Sequence, residues 1–159
     1  MAVTRALRFG LVAIGITLVP TSAALASPDD GICVGPESTF DAGAEAELRT
    51  LANNFRTENG VRPLRASARL TGVARRHSLK MAQTHVFGHS GSSGGFPWSR
   101  SRPAGENLAL AGTPEAAMEL LKGSPTHRHT LLSRSYRNVG MGAFRTCTGH
   151  LLVTQNFTG

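Results

Sequence analysis

Leu48, Leu51, Ala52 and Phe55 recur at offsets 0, 3, 4 and 7 within "DAGAEAELRTLANNFRTENG", which predicts a helix with one apolar face. Asp41 stands where a capping residue is wanted, acids crowd the first turns in accord with the helix dipole, and Asn59-Gly60 supplies the stop. After "VRPLR", Leu70, Val73, Ala74, His77 and Met81 form the apolar face of a second helix in "ASARLTGVARRHSLKMAQTH". From Gly88 to Gly105 the periodicity vanishes. Those eighteen residues contain five glycines, five serines and two prolines, the composition of a long loop in which Phe96 and Trp98 are expected to pack back on the core.

"ENLALAG" is short enough to be a strand. Thr113-Pro114-Glu115 then combines a capping hydroxyl, a proline at the first helical position and an acid in the first turn, so it opens a third helix. Ala117, Leu120 and Leu121 are expected on its buried side. Ser124-Pro125 repeats the opening device for a short fourth helix ending near Leu132, and "NVGMGAFRTCTGHLLVTQNF" predicts two strands around a turn at Thr146 to Gly149. This order of elements points to an α/β sandwich with a small antiparallel sheet, without internal repeat or coiled-coil heptads.

The first 26 residues alter the picture of where the chain works. Arg5 and Arg8 precede an apolar run from about Phe9 to Val19, and Ala24-Leu25-Ala26 follows, the layout of a secretory signal peptide. A mature chain starting near Ser27 is predicted, with residues 27–40 as an N-terminal extension and 41–159 as one domain. The alternative is an uncleaved anchor. Export places Cys33 and Cys147, the two cysteines of the chain, in an oxidising compartment, and we expect them to pair. Lipidation of Cys33 is disfavoured by the bulky Ile32 before it.

The 159-residue chain carries a formal net charge of +7, unevenly spread. Residues 27–58 hold seven acids against Arg49 and Arg56, while residues 59–159 hold thirteen Lys or Arg against Glu106, Glu115 and Glu119. Such asymmetry suits anionic partners such as wall polymers or lipid headgroups, or is a solvated arginine-rich surface. Nucleic acid is excluded as a partner by export and by the lack of a binding motif.

Candidate chemistry gathers at three residues. His127 is the third residue of the helix opened by Ser124-Pro125, where unpaired N–H groups and the dipole disfavour positive charge and leave a neutral imidazole able to bind metal or take a proton. Glu106 is a solitary acid in a basic half. His89 closes "HVFGH", a four-residue histidine spacing like that of helical metalloprotease ligands, but Gly88 interrupts the helix and no Glu follows His85. His77 is read as a packed, hydrogen-bonded histidine; His129 and His150 receive no role. Asn107 is expected to orient the Glu106 turn and Gln155 to satisfy backbone groups across the hairpin. Ser90 and Ser124 are accounted for by a loop and a cap, so no nucleophile is nominated.

Four stretches in order, "FGHS", "GENLA", "SPTHR" and "VGMGAF…LLVTQNF", after the helix bearing "LTGVARRHSLKMA", resemble the CAP superfamily of cysteine-rich secretory, antigen 5 and pathogenesis-related proteins, in its bacterial SCP-like form. The likeness runs over roughly residues 45 to 158. It implies an α/β/α sandwich with an antiparallel sheet of about three strands flanked by helices. It also matches His89 and His127 to the two cleft histidines and Glu106 to the acid of the Gly-Glu-Asn motif. A second glutamate often completes a tetrad; here Glu115, Glu119 or none is the match. Leu121 and Thr130 depart from the tryptophan and asparagine usual in bacterial members. The resulting expectation is a secreted, extracellular protein, with cell-wall association as one option. It would act as a binding module with a His/Glu cleft in which His89, Glu106 and His127 hold Zn²⁺ or another divalent cation. Its partner would be an anionic wall polymer, a lipid or a protein. The competing expectations are a polar network that only braces the sheet, and a hydrolase of peptidase or esterase type using His127 as base with Glu106 orienting it.

Overall fold

Helix α1 spans Ala42–Glu58, and its start is fixed by the Asp41 carboxylate, which accepts from the Ala44 N–H at 2.9 Å. Residues 31–90 and 103–159 are described in the computed structural model. The expected signal peptide, the mature start at Ser27 and the loop aromatics Phe96 and Trp98 lie outside them. Before α1, the two-residue strand β1 (Thr39–Phe40) joins the sheet; after it, Gly60 turns the chain at φ 66° into β2 (Arg65–Ala66) and then α2 (Ala68–Thr84). The long strand β3 (Ala104–Ala111) follows, then α3 (Pro114–Gly123), α4 (Pro125–Leu132), and the hairpin of β4 (Asn138–Arg145) and β5 (Leu151–Thr158).

The sheet runs β1-β4-β5-β3, with β2 parallel to β4 and the other pairs antiparallel. Three long strands therefore make its body, as expected, and two short ones finish one side of β4. Side-chain alternation then sorts the molecule into layers. Val139, Met141, Ala143, Leu151, Val153 and Phe157 face α1, α3 and α4, where Leu48, Ala52, Phe55, Met118, Leu121 and Leu131 complete the larger core. Leu152, Leu108 and Phe144 face α2 and pack with Met81, Ala82 and Ile32. The result is the helix–sheet–helix sandwich that the family resemblance implied, in keeping with the α/β sandwich expected from the order of elements.

On the α2 side the packing is closer than side chains permit. A Cβ on Gly140 would meet the α2 backbone at Leu70 and Thr71, and one on Gly142 the backbone at Ala74 and Arg75. Only glycine lets the helix settle there. Ser78 of α2 then donates to Gly142 O at 3.2 Å and shares a 2.8 Å hydrogen bond with Thr154 of β5. The buried Glu45 carboxylate ties three elements: Arg75 of α2 binds it through two hydrogen bonds of 2.7 and 2.6 Å, and the Ala143 N–H of β4 donates at 3.3 Å.

The extension is fastened too. Cys33 and Cys147 form a disulfide across 114 positions, Cys147 N donates to Cys33 O at 3.2 Å, and Ile32 is buried. Two expectations need correction. Leu120 is 57% exposed, because α3 buries Pro114, Ala117, Met118 and Leu121, at offsets 0, 3, 4 and 7; Leu120 belongs to the opposite side of that turn. Ser124 does stand at the N-cap of α4, but its hydroxyl makes no capping bond; its N–H instead closes α3 on Leu120 O.

Candidate functional site

Two features of chain geometry bring His89 to Glu106. Helix α2 stops when His85 adopts the left-handed conformation, φ 55°, after which residues 86–89 continue without regular structure. His77, buried on α2 as expected, holds that segment back with its Nε2 2.8 Å from Gly88 O. His89 is thereby delivered to β3, which among the described residues pairs on one side only, with β5.

There, His89 Nδ1 lies 2.9 Å from Glu106 Oε1, and the Ser90 N–H donates to the same oxygen at 3.0 Å. The Glu106 side chain is 7% exposed whereas that of His89 is 54% exposed, so a buried acid is paired with an open imidazole. A carboxylate only accepts, so in this pair the hydrogen bond runs from His89 Nδ1 to Glu106. Glu106 Oε2 is buried without a hydrogen-bond partner among the described residues. An open hollow of about 210 Å³ begins beside His89, lined also by His77, Lys80, Val86 and Ser90.

His127 approaches from α4. Its pKa is lowered from the ordinary 6.5, first by desolvation and then by the charge of His89, so the two imidazoles sense each other electrostatically. Asn107 locates this residue: its side-chain amide donates to His127 O at 3.2 Å and to Gln155 Oε1 at 3.3 Å. Asn107 thus holds α4 against β3 rather than shaping the Glu106 turn. Gln155 likewise serves side chains, not hairpin backbone, as its Nε2 donates to Met118 Sδ at 3.3 Å. The three expected cleft residues share one end of β3, with contact between His89 and Glu106. No group of three or more His, Cys, Asp or Glu among the described residues is spaced to hold a metal ion.

Neither candidate for a fourth acid joins them. Glu115 is exposed at the start of α3 and shares a hydrogen bond with Glu47 of α1, which raises the Glu47 pKa; Glu119 pairs with Lys122 at 2.8 Å. Leu121 is buried in the larger core, and the Thr130 hydroxyl returns to Thr126 O.

One residue was not foreseen. Asn156 stands directly opposite Glu106 in the β3–β5 register, hence on the same face, and its fully buried amide has no partner on either atom among the described residues. A polar residue amid the apolar run "LLVTQNF" was the available signal, but its facing depends on strand register.

Known proteins share this architecture. The profile of the Cysteine-rich secretory protein family (CAP) matches residues 50–157. The uncharacterized protein YkwD of Bacillus subtilis (strain 168) is 28% identical over 123 residues, 72% of this chain and 47% of its own length, so the chain spans about half of that relative. Among solved structures, an extracellular SCP-domain protein of Bacillus anthracis superposes with a TM-score of 0.60 at 25% identity, over 72% of this chain and 40% of that one. An outer surface protein of Borrelia burgdorferi superposes at 0.66 and 16% identity, over 76% and 97%, a likeness of fold. With the profile covering most of its length and the sandwich in place, this chain belongs to the CAP, or cysteine-rich secretory protein, family.

Proposed function

We propose that the protein is an extracellular binding module whose ligand-facing site is the His89–Glu106–His127 cleft. Extracellular placement is supported by the disulfide, by the expected signal peptide, and by relatives described as extracellular or outer surface proteins. The observation that carries the site is the His89–Glu106 hydrogen bond. A carboxylate accepting from Nδ1 orients the ring and leaves Nε2 as the nitrogen for a cation, the arrangement that prepares a histidine for a metal. Zn²⁺ or a similar cation would then be taken by the imidazoles of His89 and His127, with Glu106 orienting the first and Oε2 available to a bound water. The low pKa of His127 favours its neutral, ligating form.

Hydrolysis by His127 with Glu106 as orienter is the weaker reading, since Glu106 directs its hydrogen bonds to His89 and Ser90. Zinc titration followed by histidine ring resonances separates the cases. The expected result is that His89 and His127 signals move together, with weaker binding in Glu106→Gln. Resonances that stay fixed at millimolar zinc would remove the cation from this proposal. Ester or peptide cleavage that disappears in His127→Ala would replace the binding role with an enzymatic one.

A further inference from the structure

Away from the cleft, the last turn of α1 meets the connection from α4 to β4 around arginines. Arg56 is fully buried: its Nε donates to Arg62 O at 2.9 Å, and its Nη1 to Leu131 O at 2.6 Å and Ser133 O at 3.1 Å. Its Nη2 has no partner among the described residues, and burial lowers its pKa with no carboxylate acting against that shift. These bonds clamp the segment at residue 62 to the segment at residue 133. Above them, Arg62 Nη2 donates to Arg134 O at 3.3 Å, and the Arg65 N–H donates to Arg137 O at 2.9 Å. Four exposed arginines, Arg62, Arg65, Arg134 and Arg137, therefore stand on two segments held side by side along one rim, next to a fifth, Arg56, that is buried.

Among the described residues none of these five is in an ion pair, whereas Arg75 and Arg145 each have a carboxylate. Gly60, Val61, Arg62 and Arg134 line an open hollow of about 370 Å³ at this place. Like charges held together by backbone bonds repel, and an external anion relieves that repulsion. A carboxylate is satisfied by one guanidinium fork, while the tetrahedral oxygens of a phosphate accept from two forks arriving from different segments, as Arg62 and Arg134 do. Among the described residues the exposed large apolar side chains are Val34, Val86, Phe87 and Leu120, and none lines this hollow, so the described part of the rim lacks the apolar component with which a surface enters a lipid interface.

We propose that this arginine rim binds a soluble polymer bearing phosphate groups along its length, one phosphate seated between Arg62 and Arg134 and neighbouring ones at Arg65 and Arg137. The site is independent of the His/Glu cleft and stands whether or not the cleft binds a cation.

The test is fluorescence anisotropy of labelled linear polyphosphate with the purified protein over a series of salt concentrations. The double variant Arg62→Gln/Arg134→Gln, both side chains exposed, should bind about tenfold more weakly. It should also flatten the dependence of log K on log salt by somewhat under two units, roughly one for each guanidinium removed from a phosphate. Arg76→Gln, on the exposed side of α2, should leave both quantities unchanged. Equal losses in the control and the double variant would show diffuse charge attraction and overturn the site. Equally tight binding of polyglutamate would overturn the phosphate assignment, and tighter binding to phosphatidylglycerol vesicles would overturn the soluble polymer.

Discussion

Replacing both cysteines, Cys33→Ser/Cys147→Ser, cuts a crosslink that closes a loop of 114 positions. In the chain-entropy treatment, a loop of that length restrains the unfolded chain by about 5 kcal/mol at 25 °C. Among the described residues the tied segment is otherwise held by Ile32 packed with Met81 and Leu108, by Phe40 against Phe144 and Arg75, by the Cys147–Cys33 backbone bond, and by the two pairs of β1. Those remain possible after the cut, so most of the loss should act through the unfolded state. Domains of this size are stable by about 5 to 15 kcal/mol, and a large part of that margin is at stake. Urea unfolding of the two proteins measures it. The expected result is a loss of about 3 to 5 kcal/mol with a steeper denaturant slope, because the freed chain exposes more surface when it unfolds. A loss under about 1 kcal/mol with an unchanged slope would refute the reasoning, since the crosslink would then restrain neither state.

Gly140→Ala should destabilise by about 3 kcal/mol, the upper part of the overpacking range, because its methyl group meets α2 backbone rather than a side chain that can turn away; thermal unfolding reads the shift, and a near-neutral result would contradict the close helix–sheet seat. Asp41→Ala should cost about 1 to 2 kcal/mol through the lost cap and the Arg145 pair, while Asp41→Asn retains the cap and costs less. The same residue predicts an acid limb. The Asp41 pKa is lowered from 3.8, chiefly by the Ala44 N–H and then by Arg145, so its contribution is full above 3.8 and fades as pH falls through the folded value. Stability measured against pH should show a shallower acid decline in Asp41→Asn, and an identical profile would exclude Asp41 as a source.

Much of the fold was legible because it rests on local chemistry. Asp41, Thr113, the prolines at the starts of α3 and α4, and the apolar offsets of α1 act within a few residues of themselves. Misplacement came where two local solutions were equally good. Leu120 and Met118 both extend an apolar stripe through Ala117 and Leu121, and only packing on the sheet decides between them. The candidate site was legible as residue types and not as connections. That Glu106 grips His89 depends on His85 ending α2 and His77 holding Gly88, and Asn156 enters only through a pairing of strands 50 positions apart in register. The arginine rim was not legible as a place because its members are spread over two stretches that read as ordinary charged loop until Arg56 joins them.

The two sides of the sheet differ in how they can absorb change. Between the strands and α1, α3 and α4 lies a full stratum of leucine, methionine, valine and phenylalanine, whose rotamers can redistribute when one member alters its volume. Across from it, where main chain rests on main chain at residues 140 and 142, no such slack exists. Sequence drift in this protein is therefore tolerated on one side and forbidden at two positions on the other, and the segment that carries His89 hangs from the side that does not yield.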